Sequence, residues 1–376
     1  MAAQAGTQRD AGREKGRAVC TAALALAVLA CALLTTVVLA CGAGSFPAAP
    51  SQVLRALLQA AGLHLGAPVD ESLAVVVVDI RLARVLLAGL TGASLAVAGA
   101  AFQGVLRNPL ADAFTLGVSG GAAFGASLAI LSGAAGAAAL AGDSRLLPAS
   151  ALMGALAALA LVLLLSRAGG GPFSNLRRET LVLAGIVVST FLSALISLLK
   201  SLDEESVSSI VFWIMGSFQG RGFEHARLAW PYMLLGAGLV FWRARELDVL
   251  SLGETQARML GLDAGRSRLW LLLGASLLSG AAVAVSGVIG FVGLVVPHLA
   301  RLALGAGHRR LLPASALLGA LLLIWSDVLA RSVLPRGAEL PVGVVTALVG
   351  GPFFCLLLAR RGLSSGRAAG RNGGRE

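Results

Sequence analysis

The chain has 376 residues, of which 57% are hydrophobic and 13% charged, with a mean hydropathy of +0.85 and a formal net charge of +11. Uncharged runs long enough to cross a hydrocarbon core of about 30 Å recur along it, which excludes an ordinary water-soluble domain. The surplus cations cluster at the ends of apolar runs, as retention on the cytoplasmic face predicts, so the charge does not argue for nucleic acid as a partner.

Residues 1–17 form a basic tail carrying Arg9, Arg13, Lys15 and Arg17, and an apolar body follows over 18–361. Its uncharged runs are 18–54, 85–106, 113–142, 146–166, 180–199, 228–242, 269–300, 311–326 and 340–359, nine in all. The first ends in two VLAC strings, at Cys31 and Cys41, that resemble a cleaved leader; the spans beyond favour a retained helix. Pro47, Pro50 and Pro68 punctuate an outer segment with a short helix expected over 51–61. The segment 206–220 is short and serine-rich and reads as a partial helix rather than a span. The run 269–300 has 32 residues, about 48 Å of helix against a core of about 30 Å. Ser286-Gly287 at its middle divides it in two, which makes ten spans.

An even count places both termini on one side. Arginines at 360, 361, 367, 371 and 375 in the tail 362–376 and its approach match the basic N-terminus, so both ends are expected in the cytoplasm. The fold class is therefore an all-α polytopic membrane protein of ten transmembrane helices. Alternation puts 21 of the 30 Lys and Arg inside. A weak internal repeat accompanies it: GASLAVAGAAFQGVLRNP at 92–109 and GAAVAVSGVIGFVGLVVP at 280–297 would run in opposite directions. Inverted repeats are a transporter feature, although close packing by small residues produces similar strings.

Between two apolar runs lies a polar island, 246–268, ELDVLSLGETQARMLGLDAGRSR. It reads as a short helix, a break at Gly253 and a second helix, with Leu250, Ala257, Met259 and Leu260 giving one apolar side. Such a segment suits a surface facing a soluble partner, or a solvated connection. Glu254 either caps the second helix or pairs with a cation. Earlier in the chain, Pro109 ends a helix bearing Gln103 and Arg107 and holds Asn108 extended, and Asp112 is expected to cap the helix that follows.

Cys20, Cys31, Cys41 and Cys355 show no paired spacing, and His64, His225, His298 and His308 are scattered, so no metal or haem site is expected. No catalytic residue is assigned. A phosphate-cradling loop needs Gly directly before Lys, whereas the lysines here follow Glu14 and Leu199, so the chain does not hydrolyse ATP itself.

The strings RLARVLLAGLTGASLAVAGAAFQGVLRNPLADAFTLGVSGGAAFG (81–125), LVLAG (181–185), FWIMGSF (212–218), LSLGETQARMLG (250–261), SGVIGFVGLVVPHLARLALGAGHRRLLPASALLGA (286–320), SDVLAR (326–331) and LPVGVVTALVGGPFF (340–354) resemble the FecCD permease family. These are the membrane subunits of ATP-binding-cassette importers for ferric siderophores, haem and vitamin B12. The resemblance implies a second permease subunit, identical or paralogous, two cytoplasmic ATPase subunits that hold ATP and Mg, and an extracytoplasmic substrate-binding protein. It implies a multi-pass protein of a prokaryotic cytoplasmic membrane with no cofactor of its own.

By the same resemblance Leu252, Gly253, Glu254, Ala257 and Gly261 form the ATPase coupling surface. Asn108, Pro109 and Leu110 match a cytoplasmic gate, and a second gate element falls at Arg178 and Glu179, where the family has small polar residues. Arg81, Arg84 and Arg331, kept outside against the charge bias, match positions that receive acidic residues of the binding protein. The alternative is an ion-coupled secondary carrier. A carrier needs ionisable residues near the bilayer middle, and only Asp327 lies inside an apolar stretch, with Arg331 one turn on as its partner.

Overall fold

The structure is a computed structural model that describes residues 2–44, 48–63, 69–141, 143–167 and 176–372. Pro47, His64, Pro68 and Arg375 lie outside the described residues. The first helices are α1 (Ala2–Gly42), α2 (Pro50–Ala60) and α3 (Glu71–Val75), the last running through a π-helical stretch, Val76–Leu82, into α4 (Ala83–Leu106). Then come α5 (Val118–Leu131), α6 (Ala134–Leu140), α7 (Leu146–Arg167), α8 (Arg178–Leu202), α9 (Glu204–Met215) and α10 (Phe223–Trp242). The chain continues with α11 (Ala244–Leu252), α12 (Glu254–Met259), α13 (Ala264–Ser286), α14 (Val292–Leu304), α15 (His308–Ser332) and α16 (Val342–Asn372). Among the described residues there is no strand.

Two helices form the axis of the molecule. Every residue of α4 from Ser94 to Leu106 is buried, as is every residue of α13 from Leu278 to Ser286. Helix α4 packs on α13, α14 and α15, while α5 packs on α7 and α8, and α10 on α13. Small residues permit these contacts, since lipid supplies no hydrophobic drive for helices to associate and close backbone approach must do so instead. A Cβ at Gly92 would overlap the carbonyl oxygen of Gly319 on α15, and one at Gly121 would overlap that of Gly154 on α7.

The expectation of ten spans is not met. Five helices among the described residues are long and apolar enough to cross a membrane: Cys20–Gly42 within α1, α7, α8, α13 and α15. A sixth is reached if α5 and α6, bent by 69° at a short break, count as one broken span. The reason is that an uncharged run is not a straight helix. The run 113–142 breaks at Ser132-Gly133, with Gly133 left-handed at φ 68°. The run 269–300 breaks at Gly287 as expected, but its second half is only the 13 residues of α14, about 20 Å of helix. The apolar part of α16 is likewise short, Val342–Leu357.

With the count goes the parity argument that placed both termini inside. The two copies of the repeat also fold differently. Residues 92–106 lie in the unbroken α4, whereas 280–297 straddle the break between α13 and α14. One pair of their glycines packs one copy on the other, since a Cβ at Gly99 would strike the backbone of Gly293, while Gly92 meets Gly319 and Gly287 meets Trp213.

Candidate functional site

The polar island folds as a helix, a glycine and a helix. Helix α11 ends at Gly253, whose φ of 128° and ψ of 161° suit glycine alone, and α12 follows directly. Gly261, at φ 78°, makes the next turn, and Asp263 accepts the Arg266 N–H to cap α13. The apolar residues divide between two faces rather than sharing one. Leu247, Leu250 and Ala257 are buried against the bundle, while Leu252, Met259 and Leu260 are exposed at 58%, 80% and 64%. Glu254 does not cap. Its carboxylate accepts from Arg258 at 2.9 Å and from the buried Arg268 at 3.2 Å. Burial would raise its pKa, but the charges and hydrogen bonds of Arg268 and Arg258 prevail and hold it below the usual carboxylate range.

Two further ties fix the island. Arg268 Nη1 donates to the Leu176 carbonyl at 2.7 Å, joining α13 to the approach to α8. Asp248 on α11 accepts from the backbone N–H of His308 at 2.9 Å and lies 2.7 Å from its ring Nδ1, joining the island to the start of α15. Neither tie has a local sequence signal, because Asp248 and His308 lie 60 residues apart.

At the same end α4 terminates at Arg107 in the left-handed conformation, φ 49°. Asn108 Oδ1 accepts the Leu110 N–H at 2.9 Å, which closes the Asn108-Pro109-Leu110 turn. Leu110 is 44% exposed. Asp112 does not cap α5, which begins at Val118 after a left-handed Gly117. It accepts the N–H groups of Phe114 and Thr115 and so caps the intervening turn. That turn packs on α8: the Ser189 hydroxyl donates to the Phe114 carbonyl at 2.9 Å, and a Cβ at Gly185 would overlap the Thr115 carbonyl. Arg178 and Glu179 open α8 as a loose pair at 3.8 Å, with Glu179 largely exposed. These contacts with α8 come from residues 114–117 and not from Asn108-Pro109-Leu110.

The three arginines at the opposite end of α4 are turned inward. Arg84 grips Asp327 through Nε and Nη2, at 3.0 and 2.8 Å, and Glu339 through Nη1 and Nη2, at 2.9 and 2.8 Å. Arg331 donates to the Ala40 carbonyl at 2.6 Å and stands 3.6 Å from Asp327. Arg81 donates to the Cys41 carbonyl at 3.0 Å. Arg81 and Arg84 do not share a face because the π-helical turns before α4 change the helical register there. Arg81 reaches the end of α1 and Arg84 reaches α15. Asp327, the carboxylate within an apolar stretch, is held by two arginines, and Glu339, the second carboxylate on Arg84, was not visible in the sequence.

Among the described residues no group of three His, Cys, Asp or Glu side chains is placed to hold a metal ion. A bundle with five helices, or six with the bent pair, long and apolar enough to cross a membrane, a folded polar island at one end and an ion network at the other is a multi-pass membrane protein.

The chain belongs to the FecCD transport family, whose model matches residues 32–360. It is 44% identical over 286 residues to the uncharacterized ABC transporter permease protein YvrB of Bacillus subtilis, covering 76% of this chain and 79% of that one. Identity is 43% over 284 residues to the hemin transport system permease protein HmuU of Yersinia pestis, covering 75% and 83%. It is 39% over 302 residues to the cobalamin import system permease protein BtuC of Halobacterium salinarum, covering 80% and 78%. A solved structure described as an inward-facing metal-chelate type ABC transporter superposes with a TM-score of 0.75 at 34% identity, covering 89% of this chain and 98% of that one.

Proposed function

We propose that this chain is the permease subunit of an ATP-binding-cassette importer that moves a metal chelate, a ferric siderophore by our assignment, across a prokaryotic cytoplasmic membrane. The observation that carries the reading is the family match over 32–360 in a chain whose polar island is an ordered helix–glycine–helix unit with an exposed apolar face. Leu252, Gly253, Glu254, Ala257 and Gly261 form the docking element for the ATPase, which holds ATP and Mg. Leu252 makes the contact, Gly253 and Gly261 set the turns, and Ala257 and Glu254 seat the unit on α13.

Asn108, Pro109, Leu110, Arg178 and Glu179 surround the inner mouth of the path. Arg81, Arg84 and Arg331 organise the outer end that receives the substrate-binding protein, acting by holding α1, α15 and Glu339 in place. A second permease subunit completes the path.

The test is reconstitution of the purified permease with the ATPase and substrate-binding protein that co-purify with it from native membrane. Uptake of a labelled ferric chelate should require ATP on the island side and the binding protein on the other. Uptake driven by an ion gradient without the ATPase would overturn the proposal.

A further inference from the structure

Helix α14 carries Pro297 in its interior. Proline has no N–H to offer the carbonyl four residues back, so the Gly293 carbonyl loses its α-helical donor. Inside a membrane bundle a helix interrupted in this way persists where a neighbour supplies the missing hydrogen bond. The neighbour here is α4. Gln103 Nε2 donates to the Gly293 carbonyl at 3.2 Å and reaches the next carbonyl, that of Leu294, at 3.4 Å.

Matched spacing on the two helices builds this contact. Gly99 and Gln103 stand one turn apart on α4, as Gly293, Pro297 and Arg301 do in succession on α14. The Gly293 carbonyl points at α4, where a Cβ at Gly99 would overlap its oxygen, so the absence of a side chain there lets the helices close far enough for Gln103 to reach. Arg301, one turn past the proline, donates to Gln103 Oε1 at 3.2 and 3.3 Å. Gln103 is only 4% exposed with both ends of its amide engaged, and the guanidinium decides which end faces the carbonyl.

Helix α14 also connects two distant regions. Its start follows the break at Gly287, where Gly290 and Phe291 are partly exposed. Its end leads through Gly305 to His308, which Asp248 of the island holds. A displacement of the island is thereby passed to α14, and Pro297 opens the α14 backbone at the carbonyl that Gln103 holds.

We propose that Gln103 is a positioning residue for import, the fulcrum on which α14 turns when the island moves. The Gly293 and Leu294 carbonyls are both within hydrogen-bonding distance of its amide, so α14 shifts against α4 without stranding a buried acceptor. The role in import rests on the importer reading; the pairing of Gln103 with the carbonyl left open by Pro297 does not.

The experiment combines Gln103→Leu and Pro297→Ala. It measures thermal unfolding of the purified permease, and ATP hydrolysis by its complex with the co-purified ATPase, with and without the co-purified substrate-binding protein. Pro297→Ala restores the helical N–H, so Gln103→Leu should lower Tm in the wild type and have a much smaller effect in the Pro297→Ala background. Equal losses of Tm in the two backgrounds overturn the pairing. Gln103→Leu should also cut the hydrolysis rate stimulated by the binding protein by about tenfold, the kinetic equivalent of one buried acceptor left unmatched, with the ATPase still captured. Pro297→Ala alone stiffens α14 and should lower the stimulated rate as well, and the double variant should regain Tm without regaining stimulation. Stimulation that recovers together with Tm reduces Gln103 to a structural bond and overturns the fulcrum. If hydrolysis by the wild-type complex does not respond to the binding protein, the importer reading falls and the fulcrum with it. A wild-type response that all three variants match sinks the fulcrum alone.

Discussion

Gly253 carries a backbone conformation closed to other residues, and a Cβ there would strike Gln256 Oε1 as well. Gly253→Val should therefore re-aim α12 and abolish ATPase capture and uptake while the chain still accumulates in the membrane. Pull-down of the ATPase at wild-type yield would place the contact elsewhere. Glu254→Lys acts differently, setting a cation against Arg258 and Arg268. Because the Glu254 pKa lies below its ordinary 4.5, its ion pairs are intact above that pH and are lost as pH falls through the folded value. Hydrogen exchange in α12 should accordingly rise in wild type only in that acid range, and in Glu254→Gln at neutral pH. Arg84 makes the stronger residue-scale case. Arg84→Ala leaves Asp327 and Glu339 without their shared cation, and breaking a buried pair in this way costs about 3–5 kcal/mol. Thermal unfolding in detergent should show the loss, and adding Asp327→Asn should recover part of it. Additive losses in the double variant would mean that the pair is not coupled.

Among elements, the contact between α4 and α15 bears most on the fold. It places Arg84 beside Asp327 at one end and Gly104 beside His308 at the other. Its closest approach is Gly92 on Gly319, where no side chain fits. Gly92→Leu should separate the helices and lower stability by at least the ~1–3 kcal/mol typical of overpacking. Both the ion network and the His308–Asp248 tie should loosen together. A Tm within a degree of wild type would show that the approach is not needed. The π-helical stretch before α4 is the other decisive element. It sends Arg81 to the end of α1 and Arg84 to α15, where an unbroken helix would aim both the same way.

For the whole molecule, α4 separates the ion network from the island by its 24 residues, about 36 Å of helix. The proposed function requires these ends to face opposite sides of the membrane. In a background with Cys20, Cys31, Cys41 and Cys355 replaced, a cysteine at exposed Leu260 should react with impermeant reagents only in inverted vesicles. One at Ala338 should react only from outside intact cells. Labelling of both from one side would refute the arrangement.

The sequence by itself determined the class. Hydropathy excluded a soluble domain, ordered strings such as LSLGETQARMLG pointed to the family, and Gly253 marked the break in the island. These are local properties, legible because a glycine's freedom or a run's apolarity is carried by the residues themselves. The number of spans was not local. A run's lack of charge says nothing of whether it stays one straight helix, and 113–142 bends at Gly133 while 269–300 divides unequally. Nor was the engagement of the arginines. Arg84 meets Asp327 and Glu339 across 243 and 255 residues of chain, and Arg268 meets the Leu176 carbonyl across 92. Only the packing of α4 on α15, permitted by glycines on both, and of α1 beside them decided that Arg84 meets Asp327 and Glu339 and that Arg81 and Arg331 meet carbonyls at the end of α1.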